Sequence, residues 1–250
     1  MIASLPMYDW PETHHIHDEF WRLLRNNLLA RGIDAPPYLT RSKNEDSNWL
    51  LPDLLFSQTC GYPFSTFLSG KVQYLTTPVF DVAGCDDGYY SSALVVRRDS
   101  DIDTYNLKGA KFAYNSKLSW SGYQTVIREY GYLDDFFGSL IESEGHRNSA
   151  RLVAAGKADV AALDAVCWHL LQNYEPETAN SLKVLSWTKM HPSLPFITSL
   201  NSSEPVAQNL VAAIREVIAS TEFVDIRDHL PLVDCVNINP EIYMELGRES

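Results

Sequence analysis

Tyr114-Asn115-Ser116-Lys117-Leu118-Ser119-Trp120-Ser121-Gly122-Tyr123 follows a short apolar run, Ala110 to Ala113. It precedes a segment in which Tyr123, Val126, Ile127 and Tyr130 share one side at helical spacing. The reading is strand, turn, helix. A strand that turns through small hydroxyl residues and glycine into a helix presents N–H groups that have no partner inside the helix. They stand at the positive end of its dipole, beside hydroxyls that can also donate. That is the chemistry of an anion site. On these ten residues alone a plain serine N-cap accounts for the same pattern, so the rest of the chain has to decide.

Upstream of the turn the pattern alternates. Ile2 to Met7 reads as a first strand, and the helix after it has Ile16, Phe20, Leu23, Leu24 and Leu28 at helical spacing before it stops at Arg31-Gly32. Pro36 to Thr40, Asp53 to Ser57 and Val72 to Phe80 read as further strands. Alternating strands and helices imply a parallel sheet, whose ligands gather at the carboxyl ends of strands, where Tyr8 and the turn Thr59-Cys60-Gly61-Tyr62 fall. The β-rich run Tyr90 to Arg97, after the turn Gly84-Cys85-Asp86-Asp87-Gly88, marks the chain's departure from a first lobe.

Downstream the plan repeats. An apparent turn at Glu144 to Asn148 leads to a helical segment, Ser149 to Ala155, and Asp159 to Asp164 reads as a strand ending on Asp164. Leu182 to Trp187 and Pro195 to Leu200 are strands that bring the chain back to the first lobe. Glu204 to Ser220 is an amphipathic helix. The expected division is residues 1–89 and 195–250 for lobe 1, and 90–194 for lobe 2.

Composition removes several functions. A formal charge of −12 argues against nucleic acid or an anionic membrane as partner, though a pocket of neutral donors can still take a small anion. No apolar run approaches the roughly 18 residues of a membrane span. Met1 to Pro6 shows neither the basic nor the apolar region of a signal peptide. No GxSxG, HExxH or GxxxxGK[ST] pattern occurs, so neither catalysis nor a cofactor is expected. His14, His15, His17 and Asp18 invite a metal reading but are taken as an exposed helix start.

Three segments taken together, Tyr90 to Ser100, Ser119 to Tyr123 and Gly145 to Ala165, resemble the phosphate/phosphonate substrate-binding proteins of ABC importers. The resemblance spans roughly residues 1 to 220. It implies an α/β, two-lobed fold of the type II periplasmic-binding-protein kind, each lobe a mainly parallel sheet flanked by helices, with two hinge crossovers. It also implies capture of a phosphate- or phosphonate-like oxyanion for an ABC permease, by a monomer exported to the periplasm whose leader is absent from this sequence.

The anion turn of the family falls on Ser119, Trp120, Ser121 and Gly122, its Gly-His turn on Gly145 and His146, and an aromatic residue at the first crossing on Tyr90. Trp120 is a departure, since it stands where a hydroxyl donor is usual. Tyr8 and Tyr62 could close over the ligand, Thr59 could donate from a strand end, and Asp164 could accept from a protonated ligand oxygen or from an amine on the ligand, or cap a helix. His146 could donate to a phosphoryl oxygen, more strongly when protonated. Two alternatives stay open. One is a cytosolic enzyme on the same fold, resembling chorismate dehydratase, and the other is a ligand-sensing domain.

The cysteines bear on the compartment. If the strands leading to Cys60 and Cys85 are sheet neighbours, the two turns stand at one edge within reach of a disulfide, a bond that persists mainly outside the reducing cytosol. A Cys60–Cys85 bridge is therefore expected.

Overall fold

The computed structural model describes residues 1–42 and 48–248; residues 43–47 and 249–250, the last two within the expected lobe 1, lie outside the described residues. In chain order the strands are β1 (Ile2–Ala3), β2 (Leu54–Gln58), β3 (Val72–Phe80), β4 (Cys85–Asp86), β5 (Tyr89–Tyr90), β6 (Ser92–Arg97), β7 (Lys111–Tyr114), β8 (Ser139–Glu142), β9 (Val160–Asp164), β10 (Leu182–Trp187), β11 (His191–Pro192), β12 (Phe196–Ser199) and β13 (Leu232–Val236). The chain divides into two compact units. One comprises residues 1–81, 86–88 and 192–248, and the other residues 82–85 and 89–191.

The first unit is built on a five-stranded sheet in the order β1-β2-β12-β3-β13. All five residues of β2 are buried, as befits a strand covered on both faces. Trp21 stacks on Phe56 at 6.1 Å between centroids, and Phe56 meets Phe196 at 5.1 Å. The helix His14–Ala30 buries Ile16, Phe20, Leu23, Leu24 and Leu28, and Glu204–Ala219 buries Leu210, Ala213, Ile214, Val217 and Ile218. At about 1.5–3 kcal/mol for each large apolar side chain removed from water, these stripes outweigh the sub-kcal differences of helix propensity.

The second unit has its sheet in the order β10-β6-β9-β7-β8. Leu94, Val96, Phe112, Val160 and Ala162 form its core with Tyr114, Val126, Leu133 and Phe137. Phe112 stacks on Phe137 at 4.7 Å. The small residues of Val160-Ala161-Ala162-Leu163-Asp164 let β9 run through the middle of the sheet, buried throughout.

Three expectations need correction. The sheets are mixed rather than mainly parallel: β12 pairs antiparallel with both β2 and β3, β13 antiparallel with β3, and β6 antiparallel with both β10 and β9. β12 and β6 each enter their sheet soon after the chain passes from one unit to the other. No helical crossover precedes them to impose parallel pairing. Pro36 to Thr40 is not a strand, because Pro36 and Pro37 carry no N–H to donate; the Thr40 N–H bonds the Ala3 carbonyl at 2.7 Å without a ladder. Finally, all four cysteines are thiols, so no Cys60–Cys85 bridge exists. Its premise fails because β12 separates β2 from β3, and Cys85 belongs to the second unit while Cys60 belongs to the first.

Candidate functional site

The Ser119–Gly122 turn opens a helix, but not an ordinary one. Its first turn, Trp120–Gln124, is wound as a π-helix, closed by the Gln124 N–H donating to the Ser119 carbonyl at 3.1 Å, and Thr125–Tyr130 continues as α-helix. Single π-turns inside helices recur at functional sites. Ser119 is the N-cap, its Oγ accepting from the Gly122 N–H at 3.1 Å. The Gln124 side chain donates to the Lys117 carbonyl at 2.7 Å and ties the loop to the helix it precedes.

His146 completes the turn from the start of the helix His146–Ala154. Its Nδ1 lies 3.2 Å from the Ala162 carbonyl oxygen. A carbonyl only accepts, so Nδ1 carries the ring proton. Burial pushes the imidazole pKa down to about 4, against the opposing bond to Ala162, so the ring is neutral and Nε2 is an acceptor. Ser121 Oγ stands 2.9 Å from Nε2 and donates to it; Asn115 Nδ2 stands 3.3 Å away and donates as well. Ser119 Oγ lies 3.5 Å from Ser121 Oγ at the other end of the chain of contacts.

Glycine at position 122 leaves room for Asn115: a Cβ built there would collide with Asn115 Oδ1, so the amide occupies the space a side chain would need.

The structure therefore brings Ser119, Ser121, Gly122 and His146 together in the second unit, with Asn115 as a member that sequence reasoning passed over. Trp120 behaves differently from its neighbours. Its indole is 2% exposed, meets the His191 ring edge to face at 4.5 Å, and has the Arg128 guanidinium 4.1 Å from its centroid. Tyr90 is buried in β5. Asp164 caps the helix Ala165–Tyr174, its Oδ1 accepting from the Val166 and Cys167 N–H groups at 2.8 and 3.2 Å.

Tyr8, Thr59 and Tyr62 lie in the first unit. Tyr8 holds a φ of 68°, a left-handed conformation uncommon for a residue with a Cβ. The Thr13 hydroxyl donates to the Tyr8 carbonyl at 2.8 Å, and the Tyr8 ring meets Phe80 edge to face at 5.5 Å. Thr59 is fully buried just past β2, its N–H donating to the Pro195 carbonyl at 3.2 Å. Tyr62 is half-buried in the short helix Gly61–Ser65.

The histidine cluster is not an exposed helix start throughout. His17 is buried, with Nδ1 3.1 Å from the Thr13 carbonyl and 3.6 Å from Asp9 Oδ1, while Arg41 pairs with both Asp9 and Asp18. Among the described residues no grouping of His, Cys, Asp and Glu could hold a metal ion, and no helix is long and apolar enough to cross a membrane.

No curated protein matches the chain. Among solved structures, it is similar to the binding-protein component of an ABC phosphonate transporter from Pseudomonas aeruginosa, at 18% identity and a TM-score of 0.76 over 98% of this chain and 83% of that one. It is also similar to PhnD1 from Prochlorococcus marinus in complex with methylphosphonate, at 16% identity and a TM-score of 0.76 over 99% and 97%. A third similar structure is XAC2383 from Xanthomonas citri bound to ATP, at 16% identity and a TM-score of 0.72 over 99% and 95%. These likenesses establish the type II periplasmic-binding-protein fold. The family model described as ABC transporter, phosphonate, periplasmic substrate-binding protein matches residues 63–231, about two thirds of the sequence, and the chain belongs to that family.

Proposed function

We propose that this protein captures a small phosphate- or phosphonate-like oxyanion and delivers it to an ABC permease. The observation that carries the reading is the Ser119–Gly122 turn at a helix start, capped by Ser119 through the Gly122 N–H at 3.1 Å and tied to His146 by Ser121 Oγ, 2.9 Å from its Nε2. Its donors are neutral hydroxyls and backbone N–H groups, which bind an anion without a paired cation and leave exchange fast enough for delivery. Tyr8, Thr59, Tyr62 and Tyr90 are the proposed contacts outside the turn, and Asp164 the proposed acceptor for a protonated ligand oxygen. The protein works as a monomer in the periplasm and catalyses nothing.

Methylphosphonate, bound by the Prochlorococcus relative, is the first probe. A thermal-shift series should compare it with phosphate, phosphite, sulfate and chorismate. A ligand at 100 times its Kd stabilises the folded state by about 2.7 kcal/mol. The expected result is stabilisation by at least one phosphorus oxyanion. Stabilisation by chorismate alone would overturn the reading in favour of an enzyme.

A further inference from the structure

Hydrogen accounting at the turn exposes a conflict. His146 Nδ1 is committed to the Ala162 carbonyl at 3.2 Å, so Nε2 accepts, and the nearest hydrogen it receives is that of Ser121 at 2.9 Å. The one hydrogen Ser121 could offer an oxyanion is thus already spent on the His146 ring. If Ser121 turns it toward a ligand, Nε2 loses that donor, and a buried acceptor without a partner is unfavourable.

Asn115 resolves the conflict. Its Nδ2 stands 3.3 Å from the same Nε2, long for a primary bond and well placed to shorten. Its Oδ1 is buried, has no hydrogen-bond partner, and lies against the Cα of Gly122, so the amide is located by packing and not by a competing bond. We propose that Asn115 is a positioning residue that takes over donation to His146 Nε2 when Ser121 turns its hydroxyl to the bound oxyanion. Ser121 is then a donor that ligand binding recruits, and Asn115 is what makes the recruitment cheap. The inference rests on the anion reading of the Ser119–Gly122 turn. It assigns Asn115 no contact with the ligand.

A double-mutant cycle with methylphosphonate as the probe separates this from a structural role. Affinity is measured by titration calorimetry for the wild type, Asn115→Ala, Ser121→Ala and the double variant, with circular dichroism and melting curves confirming that each folds. In the wild-type background Asn115→Ala leaves Nε2 without a donor only in the bound state, so affinity should fall about 5- to 30-fold. In the Ser121→Ala background Asn115 is the donor to Nε2 both free and bound, so its loss leaves the two states equally unsatisfied and should change affinity less than about 2-fold.

Equal effects in both backgrounds, or no effect in either, overturn the role of Asn115. If Ser121→Ala binds as the wild type does, or if the wild type does not bind methylphosphonate, phosphate or phosphite, the anion reading falls and takes this inference with it. A second readout is the 15N signal of His146. Nε2 should keep its acceptor-type shift on ligand addition in the wild type and lose its hydrogen-bonded character in Asn115→Ala. An Nε2 that becomes protonated on binding overturns the proposal.

Discussion

The indole of Trp120 meets the imidazole of His191 edge to face, with ring centroids 4.5 Å apart, and so links the Ser119–Gly122 turn to the residue that precedes Pro192. The same helix holds this segment a second time, where Glu129 Oε1 accepts the Lys189 N–H at 2.9 Å. Trp120 is therefore packed inward, with 2% of its surface exposed.

Trp120→Thr, which restores the family's hydroxyl, should cost stability without improving affinity. Removing a buried aromatic side chain typically costs about 3–5 kcal/mol, while Trp120→Phe should keep much of the edge contact. Urea unfolding and methylphosphonate titration on the two variants check this. A Thr variant that binds more tightly at unchanged stability would show that position 120 faces the ligand.

Stability should also depend on pH in a defined direction. Burial, helped by Arg128 and Lys189, pushes His191 down to about 4, and burial does the same to His146. Unfolded histidines titrate near 6.5. Between these values the unfolded chain binds protons that the folded one does not, so stability is fully present above about pH 6.5 and is lost as pH falls toward 4. For His146, which keeps some solvent exposure, the shift from 6.5 to about 4 corresponds to at most something on the order of 3 kcal/mol. Denaturation midpoints should fall between pH 7 and 5, and His146→Gln should flatten part of that slope. A midpoint independent of pH in both proteins would contradict the neutral burial of these rings.

Much of the fold is legible because it is local. Val72–Phe80 and Leu182–Trp187 are strands with the bounds that their apolar pattern predicts, and the helical stripe from Ile16 to Leu28 is buried as its spacing requires. Pairing direction is not local. Nothing in Phe196-Ile197-Thr198-Ser199 says that it enters antiparallel between β2 and β3, and that one insertion removes the adjacency on which a Cys60–Cys85 bridge depended. The site divides the same way. Ser119, Ser121 and Gly122 are visible as a motif, whereas the neutral state of His146 is set by burial and its tautomer by a backbone carbonyl 16 residues away.

The cysteines offer a direct check on that lesson. Protein unfolded without reductant, after purification under oxidising conditions, should alkylate at Cys60, Cys85, Cys167 and Cys235. In the folded state Cys85 and Cys167 should react slowly, since burial, with Asp164 adding to it, pushes both thiols up and starves the reactive thiolate. A peptide map with Cys60 and Cys85 protected together would restore the bridge.

Gly122→Ala should damage the turn through Asn115. The new Cβ would collide with Asn115 Oδ1, so the amide must leave or the turn must open. Overpacking of this kind costs about 1–3 kcal/mol. Because the displaced amide is also the second donor to His146, affinity should fall together with stability. Pairing Gly122→Ala with Asn115→Ala provides the control. Relief of the clash should recover much of the lost stability without recovering affinity, and a double variant as unstable as Gly122→Ala alone would mean that the collision lies elsewhere.

The motif alone suggests a protonated His146 that donates to the anion, which would make affinity weaken as pH rises through the histidine range. The structure reverses that expectation, since Nδ1 donates to Ala162, Nε2 accepts, and the ring stays neutral down to about pH 4. Between pH 5.5 and 8, therefore, affinity for methylphosphonate should show no histidine inflection once the ligand's own titration is divided out. His146→Gln should lower affinity by a constant factor across that range, because the orientation of Ser121 is lost and no charge is. An inflection near pH 6.5 that is present in the wild type and absent from His146→Gln would establish the protonated donor instead, and would place the Ser121 hydrogen on the ligand from the outset.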